Sequence, residues 1–100
     1  MARYFVTDVA ARNLRDIRNS YIEQGGTVES ANRLLSDIYG RFENLADFPQ
    51  LGTPRDYLPG DFLAVPHKSY MIFYCVTDYG VDIINVLYGA IDFDDYFSRE

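Results

Sequence analysis

The segment LADFPQLG, residues 45–52, decides the fold of this chain, because a helical pattern ends there at Pro49 and Gly52. Pro and Gly both interrupt regular structure and are typical of the exit from a helix. Downstream, the apolar runs YMIFY (70–74) and VLYGA (86–90) have the length and composition of β-strands. The chain therefore passes from helical to strand structure near residue 50.

Upstream of this break, the pattern predicts a short strand at residues 3–6 and then two helices. Thr7 is suited to begin the first helix and Thr27 the second, since a threonine side chain accepts hydrogen bonds from free backbone amides. Gly25-Gly26 separates them, which indicates an antiparallel helical hairpin. The two apolar stripes have helical spacing and comprise Ala10, Leu14, Ile17 and Tyr21, then Ala31, Leu35, Ile38, Phe42 and Leu45.

The second half predicts three strands, at about 62–66, 70–77 and 81–88, with a tight turn at Asp78-Tyr79-Gly80 between the last two. The middle run is apolar on both faces, as in a central strand. We therefore expect one domain over residues 1–100, an α+β fold of order β-α-α-β-β-β. The helical hairpin packs on a small, mostly antiparallel sheet, and the N-terminal strand pairs non-locally. Residues 91–100 are interpreted as a short amphipathic helix or a loose end.

Charge limits the classes of partner. The net charge is −6, and residues 51–100 hold only Arg55, Lys68 and Arg99 against eight acidic residues. Because binding to nucleic acid requires clustered cations, direct nucleic-acid binding is not expected. The chain has no secretory leader pattern and no apolar run long enough for a membrane, so we expect a cytoplasmic protein. The single Cys75 is expected to be a buried, reduced thiol.

Three motifs carry a resemblance to the ParE branch of the bacterial RelE/ParE toxins. They are Leu45-Ala46-x-Phe48-Pro49-x-Leu51-Gly52, Pro66-x(3)-Tyr70-x-Ile72-Phe73-Tyr74 and Val86-Leu87-x-Gly89-Ala90. Phe48 and Leu51 are expected to fix the loop to the core. The resemblance implies the growth-arresting toxin of a type II toxin–antitoxin (plasmid-stabilisation) system. It also implies a cognate antitoxin, in many relatives carrying a dimeric DNA-binding domain.

Within this family, RelE-like members cleave messenger RNA on the ribosome, whereas ParE-like members inhibit DNA gyrase. Cleavage requires a base, an acid and cations that stabilise the charged phosphorane. The positions where relatives often carry basic residues or a histidine are here Leu63, Cys75, Asn85, Ile91 and Tyr88. Only Arg55 and Lys68 remain as possible phosphate contacts, and His67 is interpreted as an exposed turn residue. The sequence therefore favours a protein without nuclease activity.

No cofactor or metal is expected, because Asp92, Asp94 and Asp95 lack the remaining ligands of a calcium loop. The leading hypothesis is a ParE-like gyrase inhibitor. The alternatives are a ribosome-dependent endoribonuclease and a non-toxic remnant that only binds antitoxin. The predicted antitoxin contacts combine helix cations with aromatic and apolar groups: Arg12, Arg15, Arg41, Tyr57, Leu58, Phe62 and Tyr88. The opposing interpretation pairs the helix arginines with Asp16, Glu29 and Asp37.

Overall fold

The computed structural model describes residues 2–98 and confirms an α+β architecture. The predicted order is observed, with two short additional elements. The strands are β1 (Arg3–Val6), β2 (Leu63–His67), β3 (Tyr70–Val76) and β4 (Gly80–Tyr88). The helices are α1 (Asp8–Glu23), α2 (Val28–Asp47) and α3 (Phe93–Ser98), with a 3₁₀ turn at Pro49–Leu51. Of the two interpretations of the tail, the structure shows a short helix over residues 93–98.

Both helices of the hairpin begin at the predicted threonines. The Thr7 hydroxyl accepts a hydrogen bond from the Ala10 amide, and Thr27 forms a capping box with Ser30. Capping of this kind satisfies backbone donors that have no partner inside a helix. Just after α1, Gly25 takes a φ of 103°, a left-handed conformation that favours glycine. The hairpin is therefore specified by local sequence.

The four strands form one sheet in the order β1-β4-β3-β2. The pairs β2–β3 and β3–β4 are antiparallel, whereas β1 runs parallel to β4, which confirms the expected non-local pairing. At Gly80, a Cβ atom would collide with the carbonyl of Arg3 on β1. Glycine therefore allows both the turn, at a φ of 149°, and the close approach of the first strand.

The sheet buries both of its faces. The helical hairpin covers one face, where the core contains Leu14, Ile38, Phe42, Ile72 and Tyr74 among others. The opposite face carries a smaller cluster of Ala64, Phe73 and Leu87, which is covered by the 57–58 loop and α3. Phe73 makes edge contacts with Phe93 and Phe97 of α3. Burial of β3 on both sides confirms its predicted central position.

The loop after α2 is fixed differently from the prediction. Phe48 and Leu51 are 59% and 47% exposed, so they do not fix this loop to the core. The buried Tyr74 has that role instead: its hydroxyl donates to the Pro49 carbonyl at 2.7 Å and accepts from the Gly52 amide at 2.8 Å. A phenol can donate and accept a hydrogen bond at once, whereas the side chains of Phe48 and Leu51 can do neither.

The outer edge of β2 is protected. Thr53 pairs with Ala64 through two backbone hydrogen bonds, at 2.9 and 2.8 Å. Two residues later on the same edge, Pro66 has no amide hydrogen to offer an incoming strand. This edge is therefore poorly suited to pairing with another chain.

Candidate functional site

The strand β4 extends well beyond its partner β1. Pairing between them ends at Val6 and Ile83, whereas β4 continues to Tyr88. Thr7 causes this ending, because its hydroxyl donates to the Ile83 carbonyl at 2.8 Å while the chain turns into α1. The last five residues of β4 therefore have no neighbouring strand on that side.

A groove of about 450 Å³ lies between this open edge and α1. We call it the α1/β4 groove. Its walls come from α1, from β3 and β4, and from the turn after β4. The lining residues are Asn13, Asp16, Ile17, Ser20, Tyr21, Gln24, Tyr70, Val86, Leu87, Tyr88 and Ile91. Apolar and aromatic groups with a few polar ones are the usual lining of a binding site in a protein.

Asn13 occupies part of the open edge and imitates a neighbouring strand. Its Oδ1 accepts a hydrogen bond from the Val86 amide at 3.0 Å and another from Asn85 Nδ2 at 3.2 Å. Asn85 is buried and also donates to the Tyr96 hydroxyl on α3 at 3.2 Å. Because alternate residues of a strand face the same edge, the Tyr88 amide points in the same direction as that of Val86.

Asn13 is a functional candidate that the sequence reasoning missed. The available signal was Asn85, a polar residue inside the apolar run of β4 that requires a hydrogen-bond partner when buried. Nothing local identified that partner, which lies 72 residues away on α1.

Two tyrosines face each other at the end of the groove. Tyr70 and Tyr88 are opposite residues of β3 and β4, with ring centroids 6.2 Å apart at an interplanar angle of 65°. Burial raises the pKa of Tyr70, and the neighbouring Tyr88 and Tyr21 add to this effect. Tyr88 itself is 55% exposed, so a large aromatic surface is available at the mouth of the groove.

The residues predicted to contact the antitoxin lie on several separate surfaces. Tyr88 lines the α1/β4 groove, while Tyr57 and Leu58 pack on the opposite sheet face. Arg41 lies in a separate hollow on α2. Of the others, Arg12 and Arg15 are exposed on α1 and Phe62 is half-buried before β2. These residues do not form one continuous surface.

The two possible phosphate contacts are also apart. Arg55 lies near Tyr57, on the face covered by α3, whereas Lys68 pairs with Asp37 on α2 at 2.9 Å.

Of the positions where relatives often carry charge, Cys75 and Asn85 share the α3-covered face with Phe73, while Leu63 packs into the core beneath the helices. Burial raises the pKa of the Cys75 thiol, and the nearby Asp82 and Asp61 raise it further. Cys75 is half-buried, rather than fully buried as expected.

The interpretation of His67 as an exposed turn residue is wrong. His67 is the last residue of β2, is half-buried, and its Nε2 lies 2.8 Å from Oδ2 of Asp37. The same carboxylate oxygen receives Lys68, and hydrogen bonds from Lys68 and then His67 lower the pKa of Asp37. Asp37 therefore pairs with these two residues and not with a helix arginine.

Within residues 2–98, no group of three His, Cys, Asp or Glu side chains is arranged to hold a metal ion. Over the same residues, no helix has the length and apolarity needed to cross a membrane.

The chain resembles toxin–antitoxin proteins in both sequence and fold. Residues 4–93 match the family described as the ParE toxin of the type II toxin–antitoxin system parDE. Among solved structures, one described as the chromosomal ParDE toxin–antitoxin system from P. aeruginosa has a TM-score of 0.74 at 20% identity. The match covers 88% of this chain and 96% of that one, and shows the shared fold. No curated protein sequence matches the chain. Because the family match spans most of its length, the chain belongs to the ParE toxin family of type II toxin–antitoxin systems.

Proposed function

We propose that this ParE-family chain arrests growth by inhibiting DNA gyrase, without nuclease chemistry of its own, and that a cognate antitoxin neutralises it by docking in the α1/β4 groove. The antitoxin is expected to carry a dimeric DNA-binding domain. The proposal for neutralisation rests on the open edge of β4. The proposal that the chain is not a nuclease rests on the sheet face covered by α3, which is aromatic and poor in cations.

The α3-covered sheet face is poorly suited to phosphate chemistry. Phe73 is enclosed by Tyr57, Phe93 and Phe97, so aromatic rings rather than cations cover this part of the face. Burial raises the pKa of the Cys75 thiol, and the carboxylates of Asp82 and Asp61 raise it further, so negative charge lies beside this part of the face. Such an environment destabilises the charged phosphorane of RNA cleavage. These observations favour a toxin that acts by binding a protein.

The α1/β4 groove is suited to an extended peptide. The backbone of β4 faces it at Val86 and Tyr88, and strand addition supplies affinity through hydrogen bonds to such groups. Ile17 and Tyr21 of α1 offer apolar surface for alternate side chains of the added strand. The incoming backbone takes the place of Asn13 at the Val86 amide, so little hydrogen bonding is lost on docking.

The test of toxicity is expression of the chain alone in a bacterium, followed by assay of the purified protein. We expect growth arrest with filamentation and DNA-damage induction, together with inhibition of supercoiling by purified gyrase. Arg55→Ala is expected to retain this activity, because Arg55 has no part in a binding mechanism directed at gyrase. Rapid loss of messenger RNA with intact supercoiling would instead support the nuclease, and unaffected growth would support an antitoxin-binding remnant.

The test of neutralisation begins with the neighbouring reading frame. Its product, if a small DNA-binding protein, is expected to restore growth on co-expression and to form a complex with the purified chain. Hydrogen exchange of the complex should show added protection of the Tyr88 amide and retained protection of the Val86 amide, the two that face the open edge. Protection confined to the edge of β2 would contradict the proposed docking site.

A further inference from the structure

An open hollow of about 590 Å³ lies where α2 passes the end of β2, away from the α1/β4 groove. We call it the α2/β2 hollow. Residues at helical spacing on α2 form most of it, and β2 contributes His67. It is lined by Arg33, Ser36, Asp37, Gly40, Arg41, Asn44 and His67. This face of α2 is polar and lies opposite the stripe that packs into the core.

Cations exceed acids at this hollow, although the chain as a whole carries a net charge of −6. Arg33 and Arg41 line it, and Lys68 joins its border through Asp37. Asp37 is the one carboxylate in the lining and already pairs with both His67 and Lys68. Within residues 2–98 no carboxylate lies within ion-pairing distance of Arg33 or Arg41. Two positive charges therefore lack a counter-charge.

The guanidinium of Arg41 is only partly satisfied by its surroundings. Its Nη1 donates to Asn44 Oδ1 at 2.9 Å, which fixes the guanidinium plane on the surface of α2. Its Nε is buried and has no hydrogen-bond partner among the described residues. A partly desolvated cation without a counter-charge is unfavourable, and an incoming anion would relieve this cost.

Gly40 is a second, independent sign of a ligand. It lies in the interior of the 20-residue helix α2, where glycine is less favourable than alanine. A Cβ atom at this position would meet nothing within 4 Å, so packing inside the protein does not require glycine there. The missing side chain leaves the floor of the hollow open beside Arg41, which allows another molecule to approach the helix closely.

We propose that the α2/β2 hollow binds a carboxylate of an acidic peptide segment, with Arg41 and Arg33 as its cationic contacts. Asp37 holds His67 and Lys68 at the border and leaves the arginines to the ligand. This assignment is independent of the toxic activity proposed above, because it concerns a different surface and a ligand of defined chemistry.

A carboxylate fits this hollow better than a phosphate. The negative charge of Asp37 at the border repels a dianion more strongly than a monoanion. Phosphate sites commonly use free backbone amides at a helix N-terminus or in a nest, whereas Gly40 and Arg41 lie in the middle of α2, where backbone amides bond within the helix. A single carboxylate pairs well with one oriented guanidinium.

The experiment is an NMR titration of the ¹⁵N-labelled full chain with capped hexaglutamate, using capped hexaglutamine and inorganic phosphate as separate arms. Hexaglutamate is expected to shift the Gly40 amide, the Arg41 Nε and the Asn44 side-chain amide, and hexaglutamine is not. Arg41→Gln should weaken binding by about tenfold, since it removes a charge-assisted contact. Gly40→Leu should do the same by filling the hollow.

The controls separate binding from folding. Gly40→Leu is expected to melt at least as high as the wild-type chain, because leucine is a better helix former than glycine and its Cβ atom meets nothing within 4 Å. Arg3→Gln removes the same charge from β1, at the opposite edge of the sheet, and should leave the affinity within twofold. Equal weakening by Arg3→Gln would overturn the proposal in favour of general attraction. Shifts with phosphate alone would overturn it in favour of a phosphate site, and unshifted α2 signals would overturn it outright.

Discussion

The hydroxyl of Tyr74 on the central strand lies 2.8 Å from the amide nitrogen of Gly52, in the loop that follows α2. The same hydroxyl donates to the Pro49 carbonyl, so one buried phenol satisfies a donor and an acceptor of this loop. Gly52 permits the contact, because a Cβ atom there would lie 2.6 Å from the phenolic oxygen. The first part of the connection between α2 and the sheet, residues 49–52, is therefore held by one side chain.

Tyr74→Phe is expected to destabilise the fold by about 1–3 kcal/mol, because it leaves the Gly52 amide and the Pro49 carbonyl without their partner. Gly52→Ala should also destabilise, since the new methyl group displaces the ring. Urea denaturation measures both. Gly40→Ala is the matched control and should stabilise by roughly 0.5–1 kcal/mol. A Tyr74→Phe midpoint equal to that of the wild type would show that water replaces the hydroxyl without cost.

Asn13→Ala is expected to destabilise by about 1–2 kcal/mol, since the Val86 amide loses its acceptor and the Asn85 side chain loses one of its two. Asn13→Asp retains an oxygen in the same place and should remain close to the wild type. Hydrogen exchange at the Val86 amide is the most direct measurement: it should accelerate in Asn13→Ala and not in Asn13→Asp. Equal exchange in the two variants would indicate that Asn13 does not protect this edge.

Tyr74 and Asn13 also show how much of the structure could be predicted from the sequence. The caps at Thr7 and Thr27, the break at Gly25 and the central position of β3 follow from neighbours in sequence, and all were predicted correctly. Tyr74 with Gly52 and Asn13 with Val86 are pairs 22 and 73 residues apart. Their side chains carry no local pattern, because a tyrosine in an apolar strand or an asparagine on a helix fits many environments.

The candidate site was predicted less well for the same reason. Tyr88 is among the predicted antitoxin contacts, but the groove beside it exists only because β1 ends at Val6 while β4 continues. The pairing of Asp37 with His67 likewise depends on α2 passing the end of β2. Strand lengths and crossing points of this kind follow from tertiary packing, which hydrophobic periodicity does not specify.

Asp37 should make the free energy of unfolding depend on pH in the acidic range. Hydrogen bonds from Lys68 and His67 lower its pKa, so the folded state binds the proton less tightly than the unfolded chain, whose value is near 3.8. The contribution is therefore present above that value and is lost as the pH falls through the folded pKa. Asp37→Asn should be less stable than the wild type at neutral pH, with the difference narrowing at acidic pH. Denaturation curves at several pH values test this, and a constant difference would contradict it.

Tyr74 should make the free energy of unfolding fall as the pH rises in the alkaline range. Burial raises its pKa above 10.0, so the folded state retains the phenolic proton longer than the unfolded chain does. Its contribution is complete below that value and is lost as the pH rises through the folded pKa. Between about pH 9 and 11 the wild type should therefore lose stability more steeply than Tyr74→Phe. Absorbance of phenolate at 295 nm, followed beside denaturation, tests whether ionisation and unfolding coincide.

Tyr88→Asp should separate neutralisation from toxicity. The substitution places a charge at the mouth of the α1/β4 groove, where Tyr88 is largely exposed and not needed for the core. Affinity for the cognate antitoxin, measured by calorimetry, is expected to fall by about tenfold or more, because a buried aromatic contact is replaced by an unpaired carboxylate. Phe48→Asp is the matched control: it changes an equally exposed aromatic residue outside the groove and should bind normally. If both variants bind antitoxin as tightly as the wild type, the antitoxin docks elsewhere on the toxin.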